Sequence, residues 1–144
     1  MDPGKKIIIY TDGGARGNPG LAAIGVKFTS SDDVNTEKEY SERIENTTNN
    51  VAEYKAIIFA LKKAKRLLGG KKAAESDIEV KSDSELIVSQ INGEYKIKDD
   101  DLKLLFIDVW NLKQDFKSVD FVLIPREENI EADKLVNRAL DTLL

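Results

Sequence analysis

Tyr10–Gly20 reads YTDGGARGNPG, and this stretch decides the interpretation of the whole chain. The apolar run at 7–10 (IIIY) leads into it and predicts a strand that is buried on both faces, hence a central strand of a sheet. Asp12 ends that strand, and four glycines and one proline lie within the next eight residues. The pattern therefore predicts a carboxylate at the end of a buried strand, beside a turn whose backbone amides are left uncovered.

The chain around this stretch predicts a sheet covered by helices. Apolar runs and alternation predict strands at 7–12, 21–29, 37–44, 77–82 and 119–124, with a polar turn at 30–35. Helical spacing predicts helices at 50–68, 84–92, 99–116 and 129–144, the first of which stops at Gly69-Gly70. An antiparallel meander followed by strands alternating with helices predicts a single α/β domain over residues 1–144, with a mixed sheet flanked by helices.

Composition excludes several kinds of chemistry. The 144 residues include no cysteine and no histidine, which removes disulfides, thiolate metal sites and imidazole bases and makes carboxylates the obvious remaining candidates for catalytic groups. Sites built from oxygen alone suit hard cations such as Mg²⁺, Mn²⁺ or Ca²⁺. The net charge of −4 provides no overall positive field, so a nucleic-acid partner requires a local basic patch or metal ions.

Nothing in the sequence indicates a membrane or an export route. No stretch approaches the roughly 18 apolar residues of a membrane span, and no apolar signal region follows the N-terminal MDPGKK. We therefore expect a cytoplasmic protein without a membrane partner, acting as a monomer.

Four carboxylates are predicted to meet at one edge of the sheet. Asp12 and Asp83 end the first and fourth strands, and they would face each other if these strands are parallel neighbours. Glu53 and Asp133 lie in the first turns of two helices, on the apolar sides that face the sheet. For each residue alone, a turn, a cap or a helix-dipole partner is the simpler explanation, but the four together favour a site.

Such a cluster predicts bound metal ions, because close carboxylates repel each other and destabilise the fold unless cations neutralise them. Two hard cations about 3.5–4 Å apart could also clamp a scissile phosphate, one activating water and the other stabilising the leaving oxygen. This chemistry requires no protein base, which suits a chain without histidine.

Four segments of the sequence resemble type 1 ribonuclease H, in particular its archaeal and related bacterial single-domain forms. They are TDGGARGNPG (11–20), NTTNNVAEYKA (46–56), SDSELIVSQING (82–93) and PREENIEADKLVNRA (125–139). The resemblance covers almost the whole chain, with the segments in the family's order. It implies the ribonuclease H-like α/β fold, a five-stranded mixed sheet in the order 3-2-1-4-5 with strand two antiparallel to strands one, four and five.

The resemblance also implies the activity. It identifies the four carboxylates as catalytic metal ligands that hold two Mg²⁺ ions, with Mn²⁺ as a possible substitute. The implied reaction is endonucleolytic hydrolysis of the RNA strand of an RNA/DNA hybrid, leaving 3′-hydroxyl and 5′-phosphate ends. The residues that carry over as metal ligands are Asp12, Glu53, Asp83 and Asp133.

A further set of residues is implied to contact the substrate. Residues of the glycine-rich stretch would lie along the hybrid, and those at the start of the long helix would offer donors to the minor groove and the DNA phosphate. A hairpin turn and helix capping are the alternatives for the two groups, and capping can coexist with substrate contact. The implied residues are Gly13, Gly14, Ala15, Asn18, Thr48, Asn49 and Asn50.

Two departures from the family pattern affect the expected activity. A histidine that many members carry ten residues before the last catalytic aspartate is replaced by Leu123, and Glu127 or Glu128 could take over part of its role. A basic protrusion of some members is reduced to the short 93–101 segment (GEYKIKDDD). We expect slower turnover and weak, salt-sensitive substrate binding.

Other interpretations of the same residues stay open at this level. The fold could serve a metal nuclease acting on double-stranded RNA or branched DNA, or a nucleic-acid-binding module without turnover. Trp110 is predicted to be a core or helix-packing residue, with a base-stacking platform as the alternative. The basic residues at 62–72 are predicted to form an ordinary solvated helix face, with a modest phosphate-binding patch as the alternative.

Overall fold

The computed structural model describes residues 6–30 and 37–142 of the chain. Five strands, β1 to β5, span Ile7–Gly17, Gly20–Ser30, Lys38–Thr47, Asp77–Ser82 and Ser118–Leu123. Five helices, α1 to α5, span Asn49–Leu68, Gly70–Ala74, Glu85–Ile91, Asp100–Lys113 and Ile130–Asp141, and Arg126–Glu128 form a 3-10 turn. The turn predicted at 30–35 lies almost entirely outside the described residues.

The strands form one sheet in the order β3-β2-β1-β4-β5. β1 is antiparallel to β2 and parallel to β4, β4 is parallel to β5, and β2 is antiparallel to β3. The predicted fold class and strand order are confirmed. β1 is central, as predicted, but the predicted burial on both faces holds fully for one face only. Ile7 and Ile9 are buried, whereas Ile8 and Tyr10 on the other face are half-buried.

The prediction that the first strand ends at Asp12 is wrong. The parallel pairing of β1 with β4 ends at Tyr10 and Lys81, but the antiparallel pairing with β2 continues as far as Gly17 and Gly20. The glycine-rich stretch is therefore the arm of a long hairpin, because β2 supplies ladder partners that β4 does not. Asp12 lies two residues beyond the last residue of β1 that pairs with β4.

Two glycines allow helices to cross the sheet at close range on opposite faces. A Cβ on Gly13 would lie 2.2 Å from the carbonyl oxygen of Ala52 in α1, and a Cβ on Gly25 would lie 2.3 Å from that of Ala132 in α5. On β1 the adjacent Gly14 faces α5, since its Cβ would lie 3.3 Å from Val136. Because neighbouring strand residues point to opposite faces, α1 and α5 cover the two sides of the sheet.

The end of α1 confirms one prediction and adds a helix that was not predicted. Gly69 adopts a φ of 82° and its amide donates to the carbonyl of Lys65, as expected for a glycine stop. Gly70 then begins α2, a helix of five residues that lies outside the apolar pattern used to predict the others. Among the described residues, no helix has both the length and the apolar composition needed to cross a bilayer.

Trp110 is exposed, so the prediction of a core position is wrong. The Trp110 side chain is 53% exposed, whereas Leu102 and Val109 are the residues of α4 that are buried. Each helical residue is rotated by about 100° from the one before it, so the burial of Val109 turns Trp110 towards solvent.

Candidate functional site

Three carboxylates from distant parts of the chain meet beside the carboxyl ends of β1 and β4. Asp12 lies in β1, Glu53 lies in α1, and Asp83 directly follows β4. One carboxylate oxygen of each residue lies within 4.8 Å of those of the other two. Glu53 is only 8% exposed, and the other two side chains are half-buried. The topology places them together because β1 and β4 are parallel neighbours.

Glu53 is held by the strand that it crosses. The absence of a side chain at Gly13 lets the first turns of α1 lie directly on β1, and the Gly13 amide donates to Glu53 Oε1. This contact corrects the expectation of uncovered amides beside Asp12, since the Gly13 amide is committed to a side chain of the protein.

Asp83 is held by a buried asparagine that the sequence reasoning did not single out. Asn129 is 1% exposed, and its Nδ2 donates to the carbonyl of Thr11 at 2.9 Å and to Asp83 Oδ2 at 3.4 Å. One side chain thus ties the segment before α5 to both β1 and the end of β4. Its place four residues before Asp133, within the 125–139 segment, was the available signal.

Asp133 lies in the first turn of α5, beside the other three carboxylates but outside their tight group. Asn137, one helical turn later, donates from Nδ2 to the Asp133 carbonyl at 3.1 Å and to Asp133 Oδ2 at 3.4 Å. The structure therefore brings three of the four predicted carboxylates within ligand distance of each other and places the fourth on the wall of the same cleft.

Burial and mutual repulsion raise the pKa values of two carboxyl groups in the cluster. Burial raises the pKa of Asp12 from 3.8 to about 7; the hydrogen bond with Glu53 lowers this pKa, and the charges of Asp83 and Asp133 raise it further. Burial also raises the pKa of Glu53 well above its usual 4.5, with the charge of Asp12 as the next cause. Within 6–30 and 37–142, no lysine or arginine forms an ion pair with any of the four.

The donor set fits a hard divalent cation. Mg²⁺ binds oxygen ligands at about 2.0–2.1 Å, and the three carboxylate oxygens lie within 4.8 Å of one another, so small side-chain shifts would let all three bind one ion. A cation there would also bring positive charge into direct contact with the carboxylates, none of which forms an ion pair with a described lysine or arginine. Asp12, Glu53 and Asp83 are the residues that could hold it, and Asp133 could join them from the cleft wall.

A cleft of about 420 Å³ opens over these acids, and we call it the carboxylate cleft. It contains five of the seven residues predicted to contact substrate, namely Gly13, Gly14, Ala15, Asn49 and Asn50. The other two, Asn18 and Thr48, do not line it. The Asn18 side chain accepts from the amide of Asn49 at 3.0 Å, and Thr48 caps α1 by accepting from the amide of Val51 at 3.3 Å.

Asn49 also has a structural partner, since its Oδ1 accepts from the amide of Ala15 at 2.7 Å. The hairpin arm of β1 and the start of α1 are therefore fastened to each other by side-chain to backbone hydrogen bonds. This arrangement gives the cleft a wall of fixed shape, and Asn50 remains exposed at its rim.

Two arginines line the carboxylate cleft, and sequence reasoning identified neither. Arg126 projects from the 3-10 turn before α5, and Arg16 comes from the hairpin arm of β1. Leu123, which the sequence comparison with the family pattern predicts to replace the histidine, ends β5 with 46% exposure and does not line the cleft. Glu127 and Glu128, considered for part of the role of the histidine, do not line it either, so Arg126 is the charged residue of that turn that lines the cleft.

Comparison with known proteins places the chain among its relatives. A family model described as "Reverse transcriptase-like" matches residues 10–139. A bifunctional protein of Mycobacterium tuberculosis is 38% identical over 136 residues, covering 94% of this chain but only 36% of the relative, so the chain spans about a third of that protein. Ribonuclease HI of Halobacterium salinarum is 36% identical over 140 residues, covering 97% of this chain and 67% of the relative.

Solved structures of ribonuclease H1 proteins are also similar to this chain. LC11-RNase H1, isolated from compost by a metagenomic approach, is 50% identical with a TM-score of 0.85, covering 94% of this chain and 96% of the other. A second structure of LC11-RNase H1, in complex with an RNA/DNA hybrid, is 47% identical with a TM-score of 0.82 over the same shares of both chains.

Proposed function

This chain belongs to the ribonuclease H family, and we propose that it hydrolyses the RNA strand of RNA/DNA hybrids as an endonuclease. The observation that carries the proposal is the group formed by Asp12, Glu53 and Asp83, whose oxygens lie within 4.8 Å of one another in a chain without histidine or cysteine. The likeness to LC11-RNase H1, which has been solved with an RNA/DNA hybrid, supports this substrate for the present chain.

We propose that the carboxylates hold two Mg²⁺ ions, with Mn²⁺ as a substitute. When bound, the ions would activate the attacking water and stabilise the departing 3′ oxygen. Such compensation would favour the charged forms of Asp12 and Glu53 at neutral pH, because burial raises the pKa of both. The carboxylate of Asp133, on the cleft wall, would complete the ligand set.

The proposed reaction breaks the bond between phosphorus and the 3′ oxygen of one ribonucleotide. The oxygen of water joins the phosphorus, which leaves a 5′-phosphate, and the departing 3′ oxygen takes up a proton to become a hydroxyl. The Gly13 amide fixes the Glu53 carboxylate, and Asn129 fixes the Asp83 carboxylate, so that neither has to reorganise when substrate arrives.

Arg126 offsets negative charge in this cleft. Arg126 lines a cleft whose carboxylates would otherwise repel a nucleic acid, and a guanidinium can bind two phosphate oxygens at once. We infer that Arg126 contacts the reacting phosphate. Glu127 and Glu128, which could take part of the role of the family histidine, do not line the cleft.

Recognition of the hybrid is proposed to involve the hairpin arm of β1 and the start of α1. Gly13, Gly14 and Ala15 supply a flat surface along the cleft, and Asn49 and Asn50 supply amide groups at its rim. Asn18 and Thr48 are proposed to act mainly by holding this surface in place, because their side-chain oxygens accept hydrogen bonds from the start of α1.

The direct test uses RNA labelled at its 5′ end and annealed to DNA, incubated with Mg²⁺. We expect cleavage of the RNA at internal positions, with products that carry 5′-phosphate and 3′-hydroxyl ends. Asp12→Asn and Glu53→Gln should each lower the rate by at least about 100-fold, because each removes a charge that the metal ions need. Lys71→Ala, in the exposed helix α2, is the matched control and should cut at the wild-type rate.

A panel of duplexes under one salt condition separates the proposal from its alternatives. Equal rates for wild type and both carboxylate variants would contradict it, as would cleavage of double-stranded DNA or of free RNA at the rate seen with the hybrid. Preference for an RNA/RNA duplex would assign the same site to another substrate. Tight hybrid binding without any product would instead identify a binding module.

A further inference from the structure

We propose that Arg16 binds a phosphate of the RNA strand at the far end of the carboxylate cleft, and that Asp141 competes with this phosphate for the Arg16 guanidinium. The inference rests on the proposed function, because it assumes that the RNA strand lies in the cleft. It adds one contact between the protein and the RNA strand, at a point beyond the metal-binding acids.

Arg16 lies on the same face of β1 as the catalytic carboxylate. Side chains alternate along a strand, so Asp12, Gly14 and Arg16 all point towards α5. The contacts agree with this, since a Cβ on Gly14 would touch Val136 and the Arg16 guanidinium contacts Asp141. Four strand residues span about 13 Å, so Arg16 lies a few nucleotides from the scissile position.

Helix α5 forms the matching wall of the cleft between these two points. Asp133, Val136 and Leu140 all line the cleft, at a spacing that keeps them on one side of the helix. They cover about 10 Å of helix length. Because the cleft continues from the acids along α5 to Arg16, a strand whose scissile phosphate lies at the acids has a path that passes the arginine.

The ion pair between Arg16 and Asp141 is open to solvent and contributes little to stability. Arg16 Nη2 donates to Asp141 Oδ1 at 2.5 Å, but the two side chains are 46% and 64% exposed. Ion pairs this open to solvent contribute little to stability and are easily exchanged. A guanidinium has five donors and can bind a phosphate with two of them, so a phosphate can displace the carboxylate.

This arrangement predicts opposite effects for two substitutions that break the same ion pair. Arg16→Ala removes a phosphate contact and should weaken hybrid binding, whereas Asp141→Asn frees the guanidinium and should strengthen it. If the pair served only to fasten the hairpin arm of β1 to α5, both substitutions would loosen the same contact and change binding in the same direction.

The experiment measures the dissociation constant of a fluorescently labelled RNA/DNA hybrid by anisotropy, without divalent ions, over a series of KCl concentrations. For Arg16→Ala we expect about tenfold weaker binding, and a slope of log affinity against log salt that is shallower by about one phosphate contact, roughly 0.7–0.9. For Asp141→Asn we expect about two- to fivefold tighter binding.

A second ion pair provides the matched control. Lys65 Nζ lies 3.2 Å from Asp115 Oδ1, and Lys65 is about 18 Å along α1 from Glu53. Asp115→Asn makes the same chemical change as Asp141→Asn, and we expect it to leave hybrid affinity unchanged. If Asp115→Asn tightens binding as much as Asp141→Asn does, the effect comes from net charge and the proposed competition is overturned.

The double variant tests whether Asp141 acts through Arg16. In the Arg16→Ala background, Asp141→Asn should no longer tighten binding. If it still does, simple repulsion between Asp141 and the hybrid accounts for the effect and the competition is overturned. An unchanged affinity for Arg16→Ala overturns the phosphate contact itself.

The same protein preparations should be assayed for cleavage with Mg²⁺, so that the two levels of inference can be told apart. A wild type that cuts the hybrid while Arg16→Ala binds it normally would overturn this inference alone. A wild type that fails to cut the hybrid would overturn the proposed function, and this inference with it.

Discussion

Asn129 occupies the position before α5 where an asparagine would normally cap the helix, yet its side chain makes no capping hydrogen bond. Its Nδ2 is used instead for the Thr11 carbonyl and Asp83, and its Oδ1 is buried without a hydrogen-bond partner among the described residues. A buried polar atom without a partner costs stability, so this local cost accompanies the positioning of Asp83.

Asn129→Ala should therefore destabilise the protein by about 1–3 kcal/mol, because it leaves the buried Thr11 carbonyl unpaired. Hydrolysis of the hybrid should fall as well, since Asp83 loses its tether. Denaturant unfolding and initial rates measure the two effects. Asn111→Ala on the exposed side of α4 is the control, and equal unfolding midpoints for both variants would disprove the tether.

Arg126 and Glu127 are neighbours in the 3-10 turn, but only Arg126 lines the carboxylate cleft. If Arg126 contacts the reacting phosphate, Arg126→Ala should lower kcat by about tenfold or more. Glu127→Ala should leave kcat close to the wild-type value. Steady-state kinetics on one hybrid measures both kcat values. A similar decrease in kcat for both variants would show that the turn contributes only through its shape.

At the scale of secondary-structure elements, the site depends on how closely two helices approach the sheet. Gly25 pairs with Asp12 in the β1–β2 ladder, and its missing side chain lets α5 lie against β2. Asp133 is brought to the cleft by this approach, since it follows Ala132, whose carbonyl meets the glycine. The position of one carboxylate is therefore set by a residue with no functional group.

Gly25→Ala should displace α5, because the new Cβ would lie 2.3 Å from the Ala132 carbonyl and 2.8 Å from Leu135 Cβ. We expect a loss of about 1–3 kcal/mol in unfolding free energy together with slower hydrolysis. Gly70→Ala is the control, since nothing lies within 4 Å of a Cβ there, and it should be neutral or slightly stabilising. Calorimetry and cleavage rates that did not distinguish the two variants would argue against a close contact at Gly25.

At the scale of the whole molecule, the carboxylate cluster links stability to pH and to divalent ions. The folded protein holds the Asp12 proton more tightly than the unfolded chain, because burial raises its pKa from 3.8 to about 7. In metal-free protein, the contribution of Asp12 to stability is therefore greatest below about pH 4, falls as the pH rises to about 7, and is constant above that.

The Asp12→Asn variant isolates this contribution. In EDTA, the variant should gain stability relative to wild type as the pH rises from about 4 to about 7, because the wild type alone must ionise a buried carboxyl. Added Mg²⁺ should raise the melting temperature of the wild type more than that of the variant. A difference in melting temperature that stayed constant with pH would contradict the raised pKa.

Features that depend on interactions between residues close in sequence were predictable, and features that depend on contacts between distant elements were not. The five strands, the long helix and the glycine stop at Gly69 were predicted from sequence, because periodicity and turn chemistry act over a few residues. The strand order came from resemblance to a family and is confirmed. The added helix α2, the exposed Trp110 and the extension of β1 to Gly17 were not predicted, because each depends on which distant element is present to pair or pack.

By itself, the sequence indicated a mixed α/β sheet and, since it offers no histidine or cysteine, made carboxylates the obvious candidates for catalytic chemistry. Only the tertiary structure decided that Asp12, Glu53 and Asp83 meet while Asp133 stays on the cleft wall, and that two arginines share the cleft. The physical reason is that residue types and short-range periodicity are properties of the chain, whereas the distance between two side chains is set by the close packing of elements far apart in it.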